Sequence, residues 1–140
     1  MKTVVLLAIS TVLMSVLFCP MVTAFPAVPA DLQVVQPDPS LPKELSPFLG
    51  KWESAKHFLI VQKIDAEKAT LYFRGKGNFP DNPDFGWRSW IRAQVTKEKQ
   101  QYILYYVSQS AERGEVKLYF KDDLLIQSDK TGSERYKRVP

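Results

Sequence analysis

Cysteine and histidine are nearly absent from this sequence, whose 140 residues include one of each, Cys19 and His57. A disulfide needs two cysteines, so the chain cannot form one within itself. Zinc sites combine several Cys, His or carboxylate ligands, and a nucleophilic triad sets its histidine between a nucleophile and a carboxylate. His57 has no such partner near it in the sequence. We therefore expect a strand-edge or turn histidine in a non-enzymatic protein without metal, cofactor or catalytic residues.

Clusters of basic residues are also missing. The formal net charge is +4, and the 19 Lys and Arg residues are interleaved with 15 Asp and Glu residues. Proteins that bind nucleic acids concentrate basic residues on one face or along one helix, so this pattern predicts no nucleic-acid partner. A hydrophobic share of 45% with 24% charged residues is typical of a globular domain.

No run is long enough for a membrane anchor, but a shorter apolar segment begins the chain. Lys2 precedes a largely apolar stretch, residues 4–18, and the small-residue site Val22-Thr23-Ala24 follows. A transmembrane helix needs about 20 apolar residues, whereas this arrangement is typical of a secretory signal peptide over residues 1–24. We expect cleavage after Ala24, which removes Cys19, and export of a bacterial protein to the periplasm or the medium.

Proline is concentrated in residues 25–47, at positions 26, 29, 37, 39, 42 and 47. Proline at this density favours extended polyproline conformation over packed structure. The segment is therefore predicted to be a semi-rigid tether or a poorly ordered N-terminal stretch. At its end, Leu41, Leu45 and Phe48 have the spacing of one helical face, which predicts a short helical turn over a hydrophobic surface.

The remaining residues, 48–140, have the pattern of an all-β domain. Short runs rich in β-branched and aromatic residues alternate with Gly, Asp, Asn and Lys-Glu clusters, which is typical of an antiparallel meander. Closure into a barrel removes the exposed edges of such a sheet, and we therefore predict an eight-stranded up-and-down β-barrel. Its strands are expected at about 50–55, 57–64, 68–74, 87–96, 101–108, 115–121, 124–128 and 133–139.

An eight-stranded barrel is just wide enough to be filled by side chains or to hold one small ligand. The side chains expected to point inward are mostly large, which favours a packed interior with a small pocket at its mouth. They are Ile60, Leu71, Phe73, Ile91, Val95, Ile103, Val107, Leu118, Phe120 and Ile126.

Gly50-Lys51-Trp52, at the start of the first predicted strand, resembles the Gly-x-Trp opening of the lipocalins and the wider calycin superfamily. In those proteins the Trp packs at one end of the barrel, commonly beneath an Arg of the last strand, and Arg138 stands at that place here. The resemblance implies that Gly50, Trp52 and Arg138 close the barrel. It also implies a binding protein for a small ligand.

The long connection at residues 74–90 has the character of a binding loop. It carries Phe79, Phe85, Trp87 and Trp90 together with Arg88, and its glycines and prolines oppose regular structure. Loops on a rigid scaffold concentrate binding residues, so these five are the candidate ligand-binding residues. The alternative is that the rings fold back and cover one mouth of the barrel.

Two functions follow from these observations. The first is an exported lipocalin-like protein that binds a small apolar or amphipathic ligand, or an envelope component, beside the 74–90 loop. The second is an accessory module with a filled barrel, in which Trp90, Tyr72 and Tyr119 contact a protein partner.

Overall fold

The computed structural model describes residues 25–77, 86–87 and 89–140, with Ser89 and Trp90 described by their backbone only. The predicted signal peptide therefore lies outside the described residues. The structure confirms the all-β prediction with eight antiparallel strands at the expected places. They are β1 Gly50–Glu53, β2 His57–Ile64, β3 Lys68–Gly75, β4 Ser89–Glu98, β5 Gln101–Val107, β6 Glu115–Lys121, β7 Leu124–Asp129 and β8 Gly132–Val139.

The sheet closes into an up-and-down barrel, as predicted. Each strand pairs with its neighbours in sequence order, and β1 pairs with β8 through Lys51↔Val139, Trp52↔Arg138 and Glu53↔Lys137. Closure leaves neither terminal strand with an unpaired edge. This architecture is consistent with a calycin-like fold. In the described part of the chain, helical structure is limited to the 3₁₀ turns Ala30–Leu32 and Ser46–Phe48, and no helix is long and apolar enough to cross a membrane.

Two of the hairpins have turn residues whose backbone conformation suits an antiparallel meander. Lys99 and Gln100 join β4 to β5 with φ values of 49° and 66°, and Asp122 and Asp123 join β6 to β7 with 50° and 62°. Two consecutive residues with positive φ match the right-handed twist of the paired strands. These turns therefore hold sequential strands in one register.

The barrel interior contains an apolar core drawn from all eight strands. Residues that pair directly across antiparallel strands share one face of the sheet, and this alternation places Leu59, Leu71, Leu104, Leu118 and Leu125 inside, each fully buried. Six of the ten predicted inward residues have this orientation: Leu71, Phe73, Ile91, Val95, Leu118 and Phe120.

The other four predicted inward residues have the opposite orientation, and the prediction was wrong for Ile60, Ile103, Val107 and Ile126. Each pairs in the register that alternates with the core residues, so each faces outward. All four lie in strands with apolar residues on both faces, where periodicity alone does not choose the face. Val107 is the extreme case, with 65% of its surface exposed.

The proline-rich segment lies against the outside of the barrel. Phe25, Val28 and Leu32 pack on Phe58, Ile60, Tyr72 and Trp87, which together form the outer cluster. We call residues 25–35 the strap. Two hydrogen bonds join its backbone to Gln62. The side-chain Nε2 of Gln62 donates to Asp31 O at 2.6 Å, and the backbone carbonyl of Gln62 accepts from Val35 N at 2.8 Å. The structure therefore differs from the expected tether, because three spaced apolar side chains give this segment a surface to cover.

Candidate functional site

The two ends of the barrel differ in what surrounds them. The connections β1–β2, β3–β4, β5–β6 and β7–β8 all lie at one end, which we call the open end, because alternate turns of an antiparallel meander share a side. The connections β2–β3, β4–β5 and β6–β7 and the incoming chain at Phe48 lie at the other, closed end. A ligand site on this fold therefore has its natural place among the four connections of the open end.

The closed end is filled by Trp52 and its neighbours. The Trp52 ring is 5.6 Å from that of Phe120, and its Nε1 donates to Phe48 O at 3.0 Å. The Cζ atom of Arg138 lies 4.3 Å from the centroid of the Trp52 ring, and its two terminal nitrogens donate to the carbonyls of Leu49 and Pro47. The indole is thus buried with its polar atom satisfied, and the guanidinium covers it from outside.

Gly50 completes this arrangement. Its φ is +136°, a region that side chains disfavour, and a Cβ built there would lie 2.7 Å from Arg138 Nη1. The Gly-x-Trp glycine thus leaves room for the guanidinium that covers Trp52. The structure brings together all three residues of the proposed closure.

At the open end, a cavity of about 630 Å³ reaches into the barrel. We call it the mouth pocket. Its deeper wall includes Phe73, Ile91 and Tyr106, whereas His57, at the start of β2, and Arg113, in the β5–β6 connection, lie at the rim. The pocket therefore joins an apolar wall to a polar rim, which is the usual composition of a small-molecule site.

Three buried polar side chains form the boundary between the core and the mouth pocket. Tyr136 Oη donates to Gln127 Oε1 at 2.9 Å, and Gln127 Nε2 donates to Tyr106 Oη at 3.3 Å. Burial raises the pKa of both tyrosines far above its ordinary value, so both hydroxyls stay neutral. Gln127 and Tyr106 line the pocket and present fixed hydrogen-bonding groups without charge.

Glu134 organises one side of the rim. Its carboxylate lies 2.9 Å from His57 Nδ1 and also accepts a hydrogen bond from Ser54 Oγ. Burial opposes the charge of Glu134, but the hydrogen bonds from His57 and Ser54 hold its pKa below the ordinary value. Since an ionised carboxylate only accepts hydrogen bonds, His57 Nδ1 carries a proton in this pair.

This geometry differs from that of a nucleophilic triad, although a serine, a histidine and a carboxylate meet. In a triad the serine donates to the histidine, whereas Ser54 and His57 here both bond to Glu134. Ser54 Oγ also accepts from the backbone N of His57 at 2.9 Å and of Lys56 at 3.1 Å, so it serves the β1–β2 turn. Among the described residues, no third Cys, His, Asp or Glu joins the pair in a metal-binding group.

Arg113 supplies the other side of the rim. Its Nε is 4.0 Å from Asp129 Oδ2, too far for a hydrogen bond, and its side chain is 42% exposed. The pKa of Asp129 is lowered first by its hydrogen bond from Thr131 and further by the charge of Arg113, which also contributes to the lowered pKa of Glu134. Arg113 thus stands at the mouth close to Asp129, with no hydrogen bond between that Nε and the carboxylate.

The charged residues around the mouth pocket are unevenly divided. Among its described lining residues, the basic ones are His57, Arg92 and Arg113, and none is an Asp or Glu. Asp129 and Glu134 border an adjoining cleft of about 360 Å³ that shares Arg113 and His57 with the pocket. His57 and Arg113 thus stand between the mouth pocket and these two carboxylates.

No family model, no curated protein and no solved structure matches this chain. Function is therefore argued from the site itself.

The predicted aromatic loop is only partly described. Phe79, Phe85 and Arg88 lie outside the described residues, as does the side chain of Trp90, whose backbone pairs with Tyr72. The Trp87 side chain is buried in the outer cluster, with its ring 5.9 Å from that of Phe25, and its Nε1 has no hydrogen-bond partner in the described part. Trp87 is not among the described residues that line the mouth pocket, although its neighbour Gly86 is.

Sequence reasoning missed the polar rim. His57 does begin a strand, as expected, but its carboxylate partner, Glu134, is 77 positions away in the sequence. A signal for the pair did exist. In an eight-stranded meander the beginnings of β2 and β8 lie at the same end with only β1 between them, so a polar residue at each is a candidate neighbour.

Proposed function

We propose that this chain is an exported, non-enzymatic, lipocalin-like binding protein, whose mouth pocket takes a small amphipathic molecule with one acidic group. The observation that carries this proposal is a cavity of about 630 Å³ with an apolar wall at Phe73, Ile91 and Tyr106 and a basic rim at Arg113 and His57. Cavities of roughly 300–1,000 Å³ are typical of small-molecule sites.

Each part of such a ligand has a counterpart in the pocket. Its apolar body gains about 25 cal/mol for each Å² removed from water against the wall. Its acidic group meets Arg113, whose fork of donors suits a carboxylate or phosphate and forms charge-assisted hydrogen bonds. Gln127 and Tyr106 provide neutral hydrogen bonds between the two.

The rival function, an accessory module with a filled barrel, has weaker support. The mouth pocket leaves the open end of the barrel unfilled. Tyr72, one of the residues expected to contact a protein partner, packs against the outer cluster beneath the strap. A small ligand therefore accounts for more of the observed geometry than a protein partner does.

A titration with an anionic amphiphile tests the proposal. Dodecanoate added to the purified exported protein should bind with 1:1 stoichiometry, as measured by calorimetry. Arg113→Gln should weaken binding by about 10-fold or more, because a hydrogen bond to a charged group contributes about 1.5–3 kcal/mol.

Lys63→Gln is the matched control, since Lys63 is an exposed residue at the closed end and its replacement changes the net charge equally. It should leave the affinity unchanged. A clean apo mass by native mass spectrometry of the protein from its own compartment, together with no dodecanoate binding, would contradict the proposal.

A further inference from the structure

The hydrogen-bonded wall of the barrel is incomplete between β4 and β5. Their pairing runs from Glu98↔Gln101 to Gln94↔Tyr105. Beyond it, Ala93 pairs with Ala69 of β3, and Tyr106 pairs with Val116 of β6. The two strands continue toward the open end along their other neighbours, and no pairing joins them there in the described part. We call this separation the side opening.

The mouth pocket extends into the side opening. Successive residues of a strand point to opposite faces of a sheet. The pocket is lined by the inward-facing Tyr106 and also by its outward-facing neighbours Tyr105 and Val107, and on β4 by Ile91 and Arg92. A cavity that touches both faces of the same strands passes through the wall between them.

An apolar side chain stands beside this opening in contact with water. Val107 is 65% exposed, the largest exposed fraction among the exposed large hydrophobic residues of the described chain. It follows Tyr106, whose ring lies 6.3 Å from that of Phe73 inside the barrel. Ile91, Tyr106 and Val107 therefore offer an apolar path from the interior to the outer surface.

Polar groups lie at both ends of this path. His57 at the start of β2, Arg113 in the β5–β6 connection and Gln127 lie at the rim, and the outward-facing Arg92, Gln94 and Tyr105 border the side opening. A compact ligand would occupy the pocket and leave Val107 in water. A ligand with a head at the rim and a long apolar chain would use both features.

From these features we infer that the ligand is an elongated single-chain amphiphile, whose acidic head binds at Arg113 and His57 and whose chain leaves the barrel through the side opening across Val107. This inference rests on the proposed function and specifies the class of ligand. It also assigns to Val107 a part in recognising chain length.

A chain-length series on two variants tests the inference. Octanoate, dodecanoate and hexadecanoate are titrated into the wild-type protein and into Val107→Glu by calorimetry. In the wild type, affinity should rise by up to about fourfold for each methylene that leaves water, and the rise should continue to the longest chain. Val107→Glu should weaken hexadecanoate binding at least 10-fold and change octanoate binding less than twofold, because only the longer chain crosses residue 107.

Two further variants separate the path from simple charge effects. Val107→Lys should also weaken hexadecanoate binding, because a charge of either sign is unfavourable beneath an apolar chain. If the acidic head lay near residue 107 instead, the lysine would strengthen binding. Val34→Glu places the same new charge on the strap, at a valine that is 37% exposed, and should leave both ligands unaffected. The exposure of both sites makes a folding defect a minor concern, and circular dichroism checks it.

The outcomes distinguish the two proposals. If all three acids bind and Val107→Glu affects none, or affects octanoate as much as hexadecanoate, the side path is wrong and the proposed function stands. Tighter hexadecanoate binding by Val107→Lys would place the head, not the chain, at the opening. If none of the acids binds the wild type, the proposed function and the inference fail together.

Discussion

The closed and open ends of this barrel are built from the same strands but in opposite ways. At the closed end Trp52 Nε1 and both terminal nitrogens of Arg138 donate to backbone carbonyls, and the space is filled by aromatic rings. At the open end His57, the Arg113 guanidinium and the buried Gln127 line a cavity instead. The contrast is between a filled end, which contributes to stability, and an unfilled end, where the proposed function places ligand binding.

The largest expected effect is at the closed end. Trp52→Ala should lower the free energy of unfolding by about 3–5 kcal/mol, because it removes a fully buried aromatic side chain and leaves a cavity. Urea denaturation of the purified protein measures this loss. Tyr119→Ala, at a half-buried outward-facing residue of β6, is the control and should cost clearly less. An unchanged midpoint for Trp52→Ala would remove the basis for assigning stability to this end.

A smaller effect is expected at the boundary between the two ends. Tyr136→Phe should cost about 1–3 kcal/mol, because it leaves Gln127 Oε1 buried without its donor. Tyr102→Phe removes a hydroxyl from a partly buried tyrosine of the same barrel and should cost less than about 0.5 kcal/mol. Equal losses of stability in the two variants would show that the hydrogen bonds joining Tyr136, Gln127 and Tyr106 do not stabilise the fold as a unit.

The smallest effect is expected at the rim, and it depends on pH. The folded-state pKa of Glu134 is lowered, so the stability it contributes is present above its unfolded-state value of about 4.3 and is lost as pH falls through the lower, folded-state value. Glu134→Gln should therefore be slightly less stable than the wild type at pH 7, and the difference should shrink below about pH 4.

Thermal denaturation of both proteins across this range checks the sign of the effect. His57, Ser54 and Arg113 are the neighbours whose interactions with Glu134 this comparison tests. A stability difference that grows on acidification would contradict the assigned direction.

The sequence predicted the fold almost completely, because eight short apolar runs with polar turns have few arrangements other than a closed meander. The faces of particular residues were harder to predict. Ile60 and Val107 lie in strands that are apolar on both sides, so the choice of face depends on pairing partners elsewhere in the chain. The strap was not predicted, because its high proline content indicated an unpacked segment although it also carries three apolar side chains that pack in the outer cluster.

The candidate site was predicted less well than the fold. The aromatic loop was predicted to bind a ligand from its amino-acid composition alone. The polar rim, by contrast, depends on contacts between residues far apart in sequence, such as His57 with Glu134. The side opening could not be predicted either, because it lies where the hydrogen-bonded pairing of β4 with β5 ends, and no sequence motif marks that point. Both features follow from tertiary register.

The contacts of Arg138 have a consequence for the order in which this barrel assembles. Its bond to Leu49 O joins residues 89 positions apart, and the β1–β8 pairing that surrounds it has a similar separation. Closing so long a loop has an entropic cost that only the completed contact offsets. Because the chain is synthesised from its N-terminus, the barrel cannot close until Lys137–Val139 have been made. We expect one edge of β1 to stay unpaired until then.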